Sequence, residues 1–157
     1  MSEDWRFGPV CEADFEPLLA TRIDVMREHL ERVFRYSPER ARQLFRAAFD
    51  APGMRLILMG DERAGCVAFR HGDDAIQIDS FYLARRLHNR GLGATILKEL
   101  LVEADALGKP VRLGVLTGSK ADRFYLRHGF VKLREDEIEG YYERPMRLAD
   151  REPPARL

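Results

Sequence analysis

The segment at residues 88–94, His-Asn-Arg-Gly-Leu-Gly-Ala, carries the clearest chemical signal in the sequence. It lies between an apolar, strand-like run and an amphipathic helix pattern. A turn of this kind directs several unpaired backbone N–H groups and the positive end of the helix dipole at one point. Such a point favours an anion, most often a phosphate, and Gly91 and Gly93 let the backbone approach it without a Cβ. The segment therefore predicts a site for a phosphorylated ligand, and a plain tight connection is the alternative.

Two common phosphate-binding motifs do not fit this segment. A P-loop needs Gly-x-x-x-x-Gly-Lys followed by Ser or Thr, and the sequence contains no such run. The dinucleotide fingerprint needs a third glycine, but Ile96 stands at that position. The strand that follows, at residues 111–116, also lacks the acidic residue of that fingerprint.

Helical periodicity defines the element that the glycine turn opens. Its apolar residues recur at helical spacing, and Gly108 and Pro110 end the pattern. A long helical pattern covers residues 12–34, and another begins with Ser37 as the cap and Pro38 at the first helical position. The buried face of that helix is predicted to consist of Ala41, Leu44, Phe45, Ala48 and Phe49.

The remaining segments predict a sheet. Strands are expected at residues 5–10, 55–59, 65–70, 75–84, 111–116, 130–134 and 140–147, with a short helix at 120–127. Short turns predict antiparallel pairing of the strands at 55–59, 65–70 and 75–84, whereas a crossing helix predicts that 75–84 and 111–116 run parallel. The order is β-α-α-β-β-β-α-β-α-β-β. It predicts an α/β (α+β) fold: a mixed, mostly antiparallel sheet of six to seven strands with about four helices.

Composition narrows the class of protein. The length of 157 residues suits one domain, expected at residues 1–148, followed by a disordered tail at 149–157. Lys plus Arg and Asp plus Glu both number 26, and this balance argues against a general nucleic-acid binder. No apolar run approaches the roughly 18 residues of a membrane span, and the acidic N-terminus does not look like a secretory signal.

The cysteines and histidines give no sign of a metal site. Cys11 and Cys66 are far apart and have no metal-type spacing, so both are expected to be reduced thiols in a cytoplasmic protein. His71 and His128 have no second ligand spaced beside them. The sequence therefore predicts no bound metal.

Two segments together resemble the GNAT superfamily of acyl-CoA N-acyltransferases, in its small single-domain N-acetyltransferase form. The first runs from Phe-Tyr-Leu at 81–83 through the glycine turn, and is similar to the family loop Gln/Arg-x-x-Gly-x-Gly/Ala. The second, Ala-Asp-Arg-Phe-Tyr-Leu-Arg-His-Gly-Phe at 121–130, is similar to the family pattern Ala-x-x-Phe-Tyr-x-x-x-Gly-Phe. Two positions depart from the family: His88 replaces the usual Gln or Arg, and Ser119 stands where Asn is common.

The resemblance implies direct transfer of an acetyl group from acetyl-CoA to a primary amine of a small molecule or peptide. It implies that the loop backbone cradles the pyrophosphate and that the Leu83 N–H binds the oxygen that becomes negative in the transition state. The residues expected to contact acetyl-CoA are Phe81, Leu83, His88, Arg90, Gly91, Leu92, Gly93, Ala94, Ser119 and Phe124.

Tyr125 and Asp79 are the candidate catalytic residues. A coenzyme thiol has a pKa of roughly 8.5 and a tyrosine of roughly 10, so Tyr125 is a usable acid for the leaving thiolate; packing is the alternative role. Asp79 is the candidate base, and strand alternation predicts that it shares a face with Phe81 and Leu83. An ordinary ion pair is the alternative for Asp79.

The acceptor side is less defined. Glu28 and His29 lie late in the first helical pattern, which lines the acceptor pocket in this family, and Tyr142 could shape that pocket or merely pack. The identity of the amine and the length of the acyl group stay open, and a homodimer is one possible assembly. The alternative function is a non-catalytic acyl-CoA-binding sensor with the same fold.

Overall fold

The computed structural model of the chain describes residues 4–33 and 37–147. Its elements are β1 (Trp5–Pro9), α1 (Phe15–Val33), α2 (Pro38–Asp50), β2 (Met54–Met59), β3 (Glu62–His71), β4 (Ile76–Leu83), α3 (Leu92–Ala106), β5 (Val111–Leu116), α4 (Ala121–Arg127), β6 (Val131–Glu135) and β7 (Glu139–Arg144). Single turns of 3-10 helix precede α1 and α3. The predicted order of elements is confirmed. The predicted tail and Phe34 lie outside the described residues.

One seven-stranded sheet carries the fold, in the order β1-β2-β3-β4-β5-β7-β6. All neighbours are antiparallel except β4 and β5, which are parallel as the crossing helix predicts. These two strands pair only at Ile76 with Val111 and Gln77 with Arg112. Beyond that point β5 stays paired to β7 as far as Leu116. A wedge-shaped gap therefore opens between the carboxyl-terminal halves of β4 and β5.

A β-bulge lies in β4 where the gap begins. Cys66 pairs with Tyr82 and Ala68 with Asp79, so β4 has one more residue than β3 over this stretch. Within it, Ser80 has a φ of 51°, in the left-handed region that non-glycine residues adopt rarely. Such an insertion bends the strand and shifts the side-chain alternation by one residue.

Because of the bulge, Asp79 lies on the opposite face of the sheet from Phe81 and Leu83. Phe81 and Leu83 pack against the apolar cluster beneath α3. Tyr82 packs against the cluster beneath α1 and α2, and Asp79 pairs with Arg70, which reaches the end of α2. The prediction that Asp79 shares a face with Phe81 and Leu83 is wrong, because regular alternation fails at the bulge.

Two apolar clusters enclose the sheet. Beneath α3, Ile96, Leu97 and Leu100 are fully buried against the central strands. Beneath α1 and α2, the rings of Phe15, Phe45 and Phe49 lie with centroids 5.4 to 6.0 Å apart. Burial of this apolar surface holds both helical layers to the sheet.

The start of α2 follows its sequence signals. The Ser37 hydroxyl accepts a hydrogen bond from the Arg40 N–H at 3.3 Å, and Pro38 occupies the first helical position. Leu44 is an exception to the predicted buried face because it is 49% exposed. It lies on the wall of a cavity, where an apolar side chain can meet a ligand.

Within residues 4–33 and 37–147, no helix combines the length and apolar character needed to cross a membrane. All five residues of β6, the edge strand beyond β7, are exposed. The homodimer stays a prediction.

Substitution of Gly65 in β3 tests how closely β3 approaches β4 at the bulge. A Cβ there would lie 1.9 Å from the Tyr82 carbonyl oxygen, and backbone atoms cannot move aside without shifting β4. We expect Gly65→Ala to lower the free energy of unfolding by about 1–3 kcal/mol or more, as for overpacked sites. Denaturant titration measures this.

The matched control is Gly8→Ala in β1, where a Cβ would meet only the mobile end of the Leu58 side chain at 3.1 Å. Its effect should stay within about 0.5 kcal/mol. Equal losses in the two variants would contradict the close approach of β3 to β4.

Candidate active site

A cavity of about 390 Å³ lies where the gap in the sheet meets α1 and α2. Its walls come from six elements and the loops between them, which are distant in sequence. The lining includes Arg22, Met26 and Leu30 of α1, Arg40 and Leu44 of α2, Asp79, Ser80, Phe81 and Tyr82 of β4, Gly114 of β5, Ser119, Tyr125 of α4, and Glu139 of β7. This volume suits a small organic ligand.

The glycine turn has the geometry of an anion site. Gly91 precedes α3 with a φ of +80°, a conformation that favours glycine. The first bond of the helix runs from the Thr95 N–H to the Gly91 carbonyl at 3.1 Å. The N–H groups of Leu92, Gly93 and Ala94 therefore have no carbonyl partner within α3. They lie at the positive end of a 15-residue helix.

Gly93 faces the space between β4 and α4. A Cβ there would lie 3.8 Å from Leu83 Cδ1 and 3.8 Å from Phe124 Cζ, which is ordinary contact distance. Neither the protein's own packing nor a positive φ requires glycine at this position. The small residue leaves room for a ligand against the backbone.

The Leu83 N–H points into the gap. The Ala84 N–H donates to the Ala64 carbonyl of β3 at 2.9 Å. Because neighbouring residues of a strand direct their N–H groups to opposite edges, the Leu83 N–H is directed to the β5 edge, from which β5 has parted. A backbone donor in this position can stabilise a developing oxyanion.

The two departures from the family pattern have roles within the fold. His88 Nε2 lies 2.8 Å from the Leu83 carbonyl oxygen, so the ring donates this bond and ties the turn to the end of β4. The Ser119 hydroxyl accepts from the Ala121 N–H at 3.1 Å at the start of α4. Ser119 also lines the cavity, whereas Arg90 is exposed on the turn.

A shallow groove adjoins the cavity at Ser119. Its lining combines one carboxylate with three cationic side chains: Asp122, Lys120, Arg123 and Arg127. An excess of positive charge here favours anionic groups of a ligand that extends out of the cavity.

Tyr125 lies in the cavity wall with its ring held from two sides. Its ring centroid is 5.1 Å from that of Phe124 and 5.4 Å from that of Phe130, both edge to face. Burial raises the pKa of Tyr125, and the nearby Tyr82 raises it further. The phenol therefore keeps its proton at neutral pH and can donate it.

Asp79 lines the cavity but is held by an arginine. Its two carboxylate oxygens accept from Arg70 Nε at 2.8 Å and Arg70 Nη2 at 3.0 Å. Arg70 also donates to the carbonyls of Pro52 at 2.6 Å and Ala48 at 3.0 Å. The pair joins β3, β4 and the end of α2.

Glu139 is a second cavity carboxylate that the sequence analysis missed. Its Oε1 lies so close to β5 that a Cβ at position 114 would be only 2.1 Å away, so Gly114 makes room for it. Burial raises the pKa of Glu139, and the charge of Asp136 raises it further. The available signal was Gly114 itself, because a glycine inside a strand often marks a close approach.

Arg22 is the second site residue that the sequence analysis missed. Its Nε donates to the Tyr82 hydroxyl at 3.3 Å, and its Nη1 is buried without a hydrogen-bond partner among the residues that the structure describes. The sequence offered no signal, because Arg22 is one of several charged residues spread along α1.

The model of the acetyltransferase (GNAT) family matches residues 23–130. The chain belongs to this family. It is therefore a GNAT acetyltransferase that uses acetyl-CoA, and the enzyme class predicted from the sequence is confirmed.

Several solved structures of acetyltransferases have a similar fold. An acetyltransferase from Thermus thermophilus is 18% identical, with a TM-score of 0.71 over 92% of this chain and 100% of that one. The PaiA N-acetyltransferase from Thermoplasma acidophilum, in complex with coenzyme A, is 16% identical, with a TM-score of 0.72 over 92% and 99%. Ard1 from Thermoplasma volcanium is 18% identical, with a TM-score of 0.65 over 89% and 95%. No curated protein matches the chain significantly.

Three residues predicted for the acceptor side of this GNAT enzyme do not line the cavity. Glu28 is exposed on α1. His29 Nδ1 lies 3.1 Å from Arg32 Nη2, which in turn donates to the Thr117 carbonyl and so links α1 to the end of β5. Tyr142 is 4% exposed in the cluster beneath α3, which is the packing alternative.

Gly91 allows a test of the anion site. We expect Gly91→Ala to weaken binding of coenzyme A about tenfold or more. A Cβ strains the left-handed turn by about 1–2 kcal/mol, and relaxation of that strain turns the N–H groups away from the ligand. Isothermal titration calorimetry measures the Kd.

Gly60→Ala is the control, since Gly60 has a φ of +60° and open space around it in the turn between β2 and β3. Both variants should lose similar stability, but only Gly91→Ala should lose affinity. Unchanged affinity in Gly91→Ala would contradict the site.

Proposed function

We propose that this GNAT acetyltransferase moves an acetyl group from acetyl-CoA directly to a primary amine of a small molecule or peptide. The amine binds in the cavity beneath α1 and α2, and the donor enters the gap between β4 and β5 from the α3 side. The observation that carries this proposal is the gap itself, because the cavity lies against β4 and β5 where they part, and Gly93 at the amino end of α3 lies beside Leu83 at the end of β4.

The donor is held chiefly by backbone. The free N–H groups of residues 92–94 bind the pyrophosphate, and the cationic groove beside Ser119 binds the phosphate on the ribose of coenzyme A. His88 fixes the turn, Arg90 adds positive charge, and the side chains of Phe81, Leu83 and Phe124 flank the pantetheine arm. The PaiA enzyme with coenzyme A supports this choice of donor.

The Leu83 N–H is the proposed donor for the oxyanion. The acceptor nitrogen attacks the carbonyl carbon of the thioester, and the carbonyl oxygen becomes negative as the C–N bond forms. A fixed backbone N–H stabilises that charge without reorganisation. Collapse of the tetrahedral intermediate then breaks the C–S bond and releases the thiolate.

Tyr125 is the proposed acid that protonates the thiolate. The burial that raises the pKa of Tyr125 also makes a thiolate beside it more basic, so the proton transfer is less unfavourable than bulk pKa values suggest. The product thiol keeps the proton, and the tyrosinate recovers one from solvent.

Glu139 is the proposed first acceptor of the ammonium proton. The sequence analysis chose Asp79, and Asp79 does line the cavity, but both of its oxygens are bound to Arg70. No arginine or lysine among the described residues forms an ion pair with Glu139, and burial raises the pKa of Glu139 above its ordinary value. A carboxylate of raised pKa is the stronger base. Asp79 and Arg70 are proposed to fix the bulge.

Tyr125→Phe tests the acid. We expect kcat to fall by about 10² or more, the range for a general acid, because the thiolate then leaves unprotonated. Coenzyme A should bind as before, because the phenol hydroxyl is not part of the phosphate site. Thiol release and calorimetry measure the two quantities.

Tyr142→Phe is the matched control and should keep kcat and KM within about threefold, since Tyr142 lies in the core. Binding of coenzyme A by the native protein without turnover of any amine would instead favour the acyl-CoA sensor. Full activity in Tyr125→Phe would remove Tyr125 from the mechanism.

The pH dependence of kcat distinguishes whether Glu139 or Asp79 is the base. Glu139 must be deprotonated to act, so kcat rises with pH through a pKa above the ordinary glutamate value of about 4.3. We expect Glu139→Gln to lower kcat by about 10² or more and to remove this rise of kcat with pH. Asp79→Asn should mainly lower the melting temperature. The reverse pattern would make Asp79 the base.

A further inference from the structure

Arg22 differs from every other shielded arginine that the structure describes. Five arginines in residues 4–33 and 37–147 are buried or half-buried. Four of these have a carboxylate partner within 3.0 Å, namely Arg46, Arg55, Arg70 and Arg144. Arg22 has no carboxylate within ion-pair distance among the described residues. The fold therefore leaves one shielded positive charge without an anion.

The position of this charge links it to the acceptor. Arg22 lies on the cavity wall, where Nε bonds only to the neutral hydroxyl of Tyr82 and Nη1 has no partner in the described part of the chain. A shielded cation without a counter-charge is costly, and an unmade hydrogen bond adds to that cost. A carboxylate of a bound molecule would relieve both.

We propose that the acceptor is a small amino acid with an apolar side chain, bound through its carboxylate to Arg22. This inference rests on the proposed acetyl transfer and names the substrate class of the same site. The two terminal nitrogens of the guanidinium form the two parallel hydrogen bonds that suit a carboxylate, while Nε stays bound to the Tyr82 hydroxyl. The amine is then presented to the gap, where Glu139 and the thioester meet it.

The rest of the cavity agrees with such a molecule. Met26, Leu30 and Leu44 give its α1–α2 side an apolar wall for the side chain. Of the other charged side chains of the cavity, Asp79 is paired with Arg70 and Arg40 is exposed, so the shielded charges are the positive Arg22 and the negative Glu139. An amino acid carries the opposite pair, ammonium and carboxylate, on one carbon. A cavity of about 390 Å³ accommodates it.

A matched set of acceptors tests this directly. Leucine, leucinamide and 3-methylbutylamine carry the same primary amine and isobutyl group, but only leucine has a carboxylate. The set is repeated with methionine and phenylalanine and their amides and decarboxylated amines. Thiol release from acetyl-CoA gives kcat/KM for each, and calorimetry gives the Kd of coenzyme A as an independent measure of the donor site.

We expect the amino acids to exceed their amides and amines by about tenfold or more in kcat/KM, as for a charged hydrogen-bonded group. Arg22→Met should abolish most of that ratio, chiefly through KM, while the Kd of coenzyme A is unchanged. Arg22→Gln serves as a second variant if Arg22→Met folds poorly. Arg42→Met, at an exposed arginine of α2 outside the cavity lining, should keep the native ratio.

Three results would overturn the inference. One is equal or better turnover of the amides and amines by the native enzyme, and another is an Arg22→Met variant that keeps the ratio as fully as Arg42→Met does. The third is binding of coenzyme A with no turnover of any amino acid in the set. Failure of coenzyme A to bind at all would instead overturn the proposed function.

Discussion

The parting of β4 from β5 is the constraint on which the rest of the structure depends. Backbone N–H and C=O groups inside a sheet must find partners, and these two strands share only two residue pairs before they separate. From there, the inner edges carry backbone groups that a ligand can bind. The bulge at Ser80 lies where the strands separate, and Gly65 allows β3 to follow β4 through it. The ligand gap is therefore a property of the backbone.

Two sets of groups converge on this gap from opposite faces of the sheet. On the α3 face, the amino end of a long helix presents N–H groups suited to phosphate. On the other face, α1 and α2 close a cavity in which Asp79 forms an ion pair with Arg70, whereas Arg22 and Glu139 have no ion-pair partner among the described residues. Acetyl transfer is the chemistry that needs both faces, because the donor binds from the α3 face and the amine binds in the cavity on the other face.

The fold was largely predictable because its signals are local. Gly108 and Pro110 end α3, Ser37 and Pro38 start α2, and the short turns of the meander fix its antiparallel strands. The glycine turn was also recognisable, since its role depends on backbone. Regular alternation of side chains fails at Ser80, and a bulge leaves no trace in apolar periodicity. The sequence therefore placed Asp79 on the wrong face of the sheet.

The polar half of the cavity was not predictable in the same way. Glu139 and Arg22 reach the site only through tertiary packing, and nothing in their neighbours along the chain distinguishes them from surface charges. Tyr142 was a candidate by position alone, and the pairing of β7 with β5 turns its ring into the core. Gly114 was the one local hint, since it makes room for the Glu139 carboxylate.

Calorimetric titration with acetyl-CoA, desulfo-CoA and ATP measures whether the β4–β5 gap binds the acetyl donor, because the gap and the α3 turn must together recognise both the phosphates and the pantetheine arm. We expect both coenzyme A compounds to bind at least about tenfold more tightly than ATP, the discrimination that a few additional contacts supply. Absence of binding, or equal affinity for ATP, would contradict this expectation and leave a GNAT fold whose gap serves another purpose.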